Sequence, residues 1–285
     1  MILVARRAST VTLVALLALP GPGRAEAPAR HAPHPGALTV VSLNLAMRED
    51  VDHIASELSA TGVAQAGDLF LLQEVARREP GPDVATQLGE RLGLESLYQE
   101  AFTLDRQRSA GLAILSRHPQ RDLRVLALRR FNLSFRSRSR LALGAAVDTP
   151  AGRVHVYNVH LDTRINLKPR LQQLGSVARD VASLDGPAIV GGDFNTNDHR
   201  WLFHTIPLPF MGRQGKGLLR FMEGRGFRSA FEIGQPTHDA LGMQLDWVFL
   251  RGLQAAGGSI QPVQVSDHHA LIVSVVPNPA ASGTR

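Results

Sequence analysis

The chain of 285 residues contains no cysteine. That excludes a disulfide-stapled scaffold and any zinc site built on thiolates. Lysine is scarce too: Lys168 and Lys216 are the only two, and the other 29 basic residues are arginines. The formal net charge of +6 therefore owes much to arginine, which titrates so high that it inflates the isoelectric point. No glycine-rich fingerprint follows the first strand-like segment, which excludes a dinucleotide-binding βαβ unit there. No apolar run approaches the ~20 residues that a membrane-spanning helix needs. What is present, 44% hydrophobic and 20% charged residues, is the make-up of a globular chain with a sizeable core.

Residues 1–25 read as a secretory signal. Arg6 and Arg7 precede the apolar run Val11–Leu19, Pro20 to Gly23 break it, and Ala25 or Ala27 offers a small-residue cleavage point. Residues 26–37, rich in Pro, Ala and His, are expected to be a flexible leader, and 277–285 a disordered tail. Removal of Arg6, Arg7 and Arg24 leaves 28 basic against 25 acidic residues, a net of +3. Such a balance is compatible with a polyanionic partner without arguing for one. The expectation is an exported, periplasmic or secreted protein with no stable membrane insertion after cleavage, and a monomer.

From Leu38 onward, short apolar runs alternate with amphipathic ones. Strands are predicted at 38–45, 69–75, 112–116, 123–128, 141–147, 154–161, 188–192, 245–250 and 270–275. Helices are predicted through Val51, Ile54, Ala55 and Leu58, over 84–92 with Asp83 as cap, and over 167–184. The turn Thr149–Gly152 joins two strands as a hairpin. Strict βαβ alternation is missing, so the pattern predicts mixed sheets covered by helices in one domain spanning 38–276.

Metal-binding and proton-moving residues collect at strand ends: Asn44, Glu74, His160, Asp193 with Asn195, Asp246, and Asp267 with His268. Ends of neighbouring strands converge on one rim, so these distant residues are expected to share a pocket. Several carboxylates at one rim repel each other unless a cation or proton is present. Oxygen donors without thiolates suit Mg²⁺, Mn²⁺ or Ca²⁺.

The motifs SLN at 42–44, QE at 73–74, GLAILSR at 111–117, NVHLDT at 158–163, GGDFNT at 191–196, LDWVF at 245–249 and SDHH at 266–269 resemble the endonuclease/exonuclease/phosphatase superfamily. The resemblance runs in order over nearly the whole chain beyond residue 37. It implies a four-layer α/β sandwich, two mixed and mostly antiparallel sheets packed face to face with helices outside, and Mg²⁺-dependent (or Mn²⁺-dependent) hydrolysis of a phosphate ester. It further implies that Glu74, Asn44 and Asp267 hold the metal. Asp193 would deprotonate the attacking water and Asn195 would steady it. His268, held by Asp246, and His160 would meet the phosphate.

Arg140 and Arg164 are candidates for phosphate contact, each balanced by an ordinary structural role. His238 is a weak candidate set against a capping or loop role, and His269 reads as packing or surface. Arginines 129, 130, 136, 138 and 140 form a dense stretch. If it is a strand, Arg136, Arg138 and Arg140 share one face and could guide a polyanion. The first reading is a nuclease-like phosphodiesterase with nucleic acid as partner. The second is a lipid-headgroup phosphodiesterase or phosphatase. It would be favoured by an apolar loop that reaches a bilayer, for which the stretch from Trp201 to Met211 is the candidate if it is not core.

Overall fold

A computed structural model describes residues 37–133, 137–209 and 211–278. The expected signal segment, nearly all of the leader, Phe135, Arg136, Phe210 and the end of the tail lie outside the described residues. In chain order the elements are β1 (Leu38–Asn44), α1 (Val51–Ala60), α2 (Val63–Ala66), β2 (Leu69–Arg78), α3 (Val84–Leu92), β3 (Glu95–Thr103), β4 (Arg108–Ser116), β5 (Gln120–Ala127), β6 (Leu141–Thr149) and β7 (Gly152–His160). Then follow α4 (Leu167–Ala182), β8 (Ala188–Asp193), β9 (Arg200–Leu202), β10 (Ile206–Leu208), α5 (Gln214–Glu223), β11 (Arg228–Ser229), β12 (Asp246–Arg251), β13 (Leu253–Gln261) and β14 (Ala270–Pro277).

Twelve strands form two six-stranded sheets, ordered β13-β14-β1-β2-β4-β3 and β11-β12-β8-β7-β6-β5. Each has one parallel pair, β1 with β2 and β7 with β8; the other pairs are antiparallel. Side chains alternate across a strand, and β2 uses both faces. Leu69 and Leu71 point into an apolar layer shared with Leu143, Val156 and Val248 of the other sheet. Phe70 and Leu72 point outward, against Ile54, Leu58 and Leu88 of α1 and α3. On the far side, Tyr157, Val159, Val190 and Trp247 pack under Leu174, Val177 and Val181 of α4 and Leu218 of α5. The result is the expected four layers, helix, sheet, sheet, helix.

A polar bridge crosses the layer between the sheets. Gln73 Nε2 donates to Asn158 Oδ1 at 2.7 Å, and Asn158 Nδ2 donates to the carbonyls of Leu72 and Ala113 at 2.8 and 2.9 Å. Both residues are fully buried. Such groups are costly there unless paired, and the pairing fixes how the two sheets meet.

Caps follow the sequence. Asp50 accepts from His53 N at 3.0 Å at the start of α1, and Asp83 accepts from Thr86 N at 2.8 Å at the start of α3. Seven elements lie outside the predicted set: the short α2, β9, β10 and β11, and the longer β3, α5 and β13. β3 and β13 are edge strands with half-exposed, partly polar patterns, and Gly215 and Gly217 interrupt the apolar period of α5.

The arginine stretch departs from expectation in its described part. Leu128 N bonds the Arg140 carbonyl at 2.9 Å, the described residues 129–133 and 137–140 belong to no strand, and β6 begins only at Leu141. Arg138 lies over the Phe102 ring, 4.4 Å from its centroid, and Arg140 turns inward to Asp162. Of the expected row, Arg138 and Arg140 are described, and they lie outside any strand and share no strand face.

Candidate active site

Register places the first group. His160, Asp193 and Asp246 end or begin adjacent strands and pair directly: His160 with Asp193 across β7 and β8, Asp193 with Asp246 across β8 and β12. They form one row at the rim of one sheet. The other sheet supplies Asn44 at the end of β1, Glu74 from β2, and Asp267 and His268 just before β14. The rim thus joins strand ends from both sheets, and all of these except Asp246 line a single cavity of about 510 Å³.

Local chain shape aims each group. Pairing of β2 with β4 slips between Leu72 and Val75, and within that bulge Glu74 has φ of 49°. The bulge turns its carboxylate into the cavity instead of along the pleat. Asn195 has φ of 53°, a region asparagine tolerates. Seven non-glycine residues among those described have positive φ, and four of them, Ala46, Met47, Glu74 and Asn195, line the cavity. Such strain persists where the surrounding structure imposes it, as at functional sites. Gly192, at φ of 135°, has no alternative: an added Cβ would lie 2.1 Å from the Val159 carbonyl oxygen.

Asp193 is the hub. Its Oδ1 accepts from Asn195 N at 2.8 Å, and its Oδ2 accepts from Asn195 Nδ2 at 3.0 Å and Asn44 Nδ2 at 3.1 Å. His160 Nε2 stands 3.5 Å from Asp193 and 3.8 Å from Glu74. Asn44 therefore orients Asp193. Its Oδ1 already accepts from Ala46 N at 2.9 Å, with a second lone pair remaining. His268 Nδ1 donates to Asp246 Oδ2 at 2.8 Å. Thr237 Oγ1 donates to the same oxygen at 2.6 Å, so Asp246 sits behind the histidine and never reaches the cavity itself.

Electrostatics divides the groups. Burial, with the Asp246 charge adding to it, raises Asp193 to about 7. Burial likewise raises Glu74, against the pull of Arg140. Burial lowers His160 well below its ordinary value, and Arg140 adds to that, so it is neutral at pH 7. Burial also disfavours the charged form of His268, but the Asp246 carboxylate prevails and holds its pKa at about 10, so it is a cation.

Oxygen donors, carboxylates forced together and no thiolate make a set that fits a hard divalent cation. Asp193 and Asp246 bring carboxylate oxygens within 4.8 Å of each other, and His238 and Asp267 likewise bring their ligand atoms together, beside His268, which as a cation offers no lone pair.

Other expectations resolve differently. Arg140 and Arg164 do not line the cavity. Arg140 Nε pairs with Asp162 at 3.1 Å, both buried, and acts on Glu74 and His160 through its charge alone. Arg164 Nη2 donates to the Leu133 carbonyl at 3.5 Å. His269 pairs with exposed Asp239. His238 is no mere loop residue: it lines the cavity, 3.4 Å from Asp267, with its ring edge-on to His268.

Two residues escaped the sequence reading. Thr237 is one; the stretch Gln235-Pro-Thr-His238 gave no periodic signal. Arg170 is the other, fully buried on α4. It donates to the carbonyls of Asp162, Phe194 and Ile165 and to Gln214 Oε1 at 2.7–2.9 Å. That ties together the loops that follow β7 and β8. Burial pushes it down to about 9, still charged at neutral pH.

The model of the Endonuclease/Exonuclease/phosphatase family matches residues 41–268, and the chain belongs to that family of phosphoric ester hydrolases. It is 29% identical over 137 residues to a UPF0294 protein of Erwinia tasmaniensis, covering 47% of this chain and 46% of that one. The chain thus matches less than half the length of that relative. An endonuclease/exonuclease/phosphatase of Beutenbergia cavernae superposes with a TM-score of 0.69 at 20% identity, over 85% of this chain and 72% of the other. ANGEL2, a 2',3'-cyclic phosphatase solved with adenosine-2',3'-vanadate, superposes with a TM-score of 0.59 at 16% identity, over 84% and 95%. These similarities to solved structures concern the fold.

Proposed function

We propose that the protein is an exported, Mg²⁺-dependent phosphodiesterase that hydrolyses its substrate with water. The observation that carries this reading is that His160 and Asp193, in direct register, line one cavity with Glu74 and His268, while Asp246 braces His268 from behind. A cation held by Glu74, Asp267 and the free lone pair of Asn44 would neutralise phosphoryl oxygens that otherwise repel the nucleophile. Asp193, with a pKa near 7, is suited to take a proton from water, and Asn195 and Asn44 fix its carboxylate. His268, charged and braced by Asp246, is suited to donate to the phosphoryl oxygen where negative charge grows. Neutral His160 is suited to donate from Nε2 to the phosphate or leaving group.

Nucleic acid as substrate is supported by the ribonucleotide analogue bound to ANGEL2. A lipid headgroup is the second reading, and exposure of the β9–β10 hairpin favours it. The test is a panel of plasmid DNA, RNA, phospholipids and bis-p-nitrophenyl phosphate, with Mg²⁺ and with EDTA. Turnover should vanish in EDTA and return with Mg²⁺, and Glu74→Gln should raise the Mg²⁺ concentration required. Full activity in EDTA would sink the reading.

A further inference from the structure

The β9–β10 hairpin belongs to neither large sheet. Its two faces do different things. Trp201 and Pro207 are cross-strand partners, and both line the catalytic cavity. Leu202 and Ile206, the next pair, point the other way by strand alternation. At the tip Phe203 is 81% exposed, Ile206 is 52% exposed, and Met211 on the returning chain is 60% exposed. Three large apolar side chains therefore stand in water on one small protrusion beside the site. A soluble surface usually scatters such residues singly.

The protrusion is held in place. Asn166 Nδ2 donates to the Trp201 carbonyl at 2.9 Å, and Trp201 N donates to Asn166 Oδ1 at 2.8 Å. His204 Nδ1 donates to the Arg164 carbonyl at 2.8 Å. Phe203 and His204 both have positive φ, 51° and 59°, in a turn that presents Phe203 outward. Neither is a residue such a turn favours. The flank is basic. Gly212 N bonds the Asp198 carbonyl at 2.8 Å, which draws the base of the hairpin to the start of α5. Arg200, Arg213 and Lys216 are exposed there, against a single acid, Asp198.

We propose that this hairpin docks the enzyme on an anionic lipid surface, with Phe203 and Ile206 entering the headgroup layer and the basic flank meeting lipid phosphates. Apolar tip and cationic collar together are the chemistry of interfacial binding. The cavity opens on the inner face of the same hairpin, so the scissile bond would belong to a phospholipid headgroup. This last step rests on the phosphodiesterase reading; the docking does not.

The test is sedimentation of the purified protein with vesicles of phosphatidylcholine, with and without phosphatidylglycerol. Binding should be stronger to the anionic vesicles. Burial of a large apolar side chain is worth ~1.5–3 kcal/mol, so Phe203→Ser and Ile206→Ser should each weaken vesicle binding by roughly ten- to a hundredfold. An unchanged thermal midpoint shows that the variants are folded. Phe203→Trp keeps the apolar tip, and its emission should shift to the blue on anionic vesicles. The proposal is overturned by wild-type protein that ignores vesicles, by equal binding to both compositions, or by Phe203→Trp emission that does not move. Variants that keep vesicle binding but lose single-stranded DNA binding would also overturn it, in favour of base stacking at the tip. Hydrolysis of bis-p-nitrophenyl phosphate by the wild type is read separately. If it is absent while docking persists, the phosphodiesterase reading fails and the docking stands.

Discussion

His160 and Asp193 stand side by side on parallel strands, in direct register, with His160 Nε2 3.5 Å from the Asp193 carboxylate. The imidazole is neutral and the carboxyl sits near its titration point, because both are buried. A pair so placed can hold one proton in more than one arrangement without a charge being created in an apolar layer.

Asp246→Asn should lower the rate on bis-p-nitrophenyl phosphate ~10–100-fold, as loss of an orienting partner does. The His268 pKa should fall from about 10, since the charge that holds it there is gone. Proton NMR titration of His268 checks the second effect independently of turnover.

Stability should depend on pH in a direction set by Asp193. Its pKa is raised from the ordinary carboxylate value to about 7 in the folded state. The stability linked to its proton is therefore complete below the unfolded value and is lost as pH rises through about 7. A divalent cation at the cluster offsets that loss. Without metal, the thermal midpoint should be lower at pH ~8.5 than at pH ~5.5, and Mg²⁺ should raise it more at the higher pH. Equal gains at both would show that the carboxylates do not share the cation.

Replacement of Arg170 by Met should leave the carbonyls of Asp162 and Phe194 and Gln214 Oε1 without their buried donor. Breaking a buried charged network costs ~3–5 kcal/mol, or ~6–20 °C for a domain of this size. Lysine at this position cannot reproduce the forked geometry and should recover only part of it. Differential scanning calorimetry of Arg170→Met and Arg170→Lys provides the comparison.

Arg140→Gln separates packing from polyanion binding. Arg140 is buried against Asp162, so the substitution should destabilise the fold and change the salt dependence of duplex DNA binding by less than ~1 in log–log slope. Arg129 and Arg130 are exposed. Replacing both by Gln should flatten the slope by ~1–2 if they meet phosphates. Filter binding across a salt series distinguishes the two cases.

Much of the fold was legible because alternation and capping are local. Asp83 was placed as a cap, and the Thr149–Gly152 turn as a hairpin, from neighbours alone. The site was legible because its residues fall at strand ends, where register carries them together. What was hidden depends on partners far along the chain. Arg170 looks like a surface arginine of an amphipathic helix until the loops after β7 and β8 fold over it. Asn158 alternates correctly as an inward residue, but only the opposite sheet shows that Gln73 awaits it. The arginine stretch shows that a charge pattern of period two does not make a strand: Arg138 lies over the Phe102 ring and Arg140 pairs with Asp162. His238 carries only a faint signal in the sequence, since its neighbours Asp267 and His268 arrive from far along the chain.

The Gln73–Asn158 bridge has a consequence for how the enzyme fails. Glu74 follows Gln73 directly, and His160 lies two residues past Asn158 on the same face of its strand. Bonds that help hold one sheet on the other therefore lie beside the carboxylate and the imidazole whose span they help set. The sheets cannot slide by one residue and leave an active but loosened molecule. Heat should abolish turnover and tertiary structure together, in a single transition, with no window in which a folded chain has already lost its catalytic geometry.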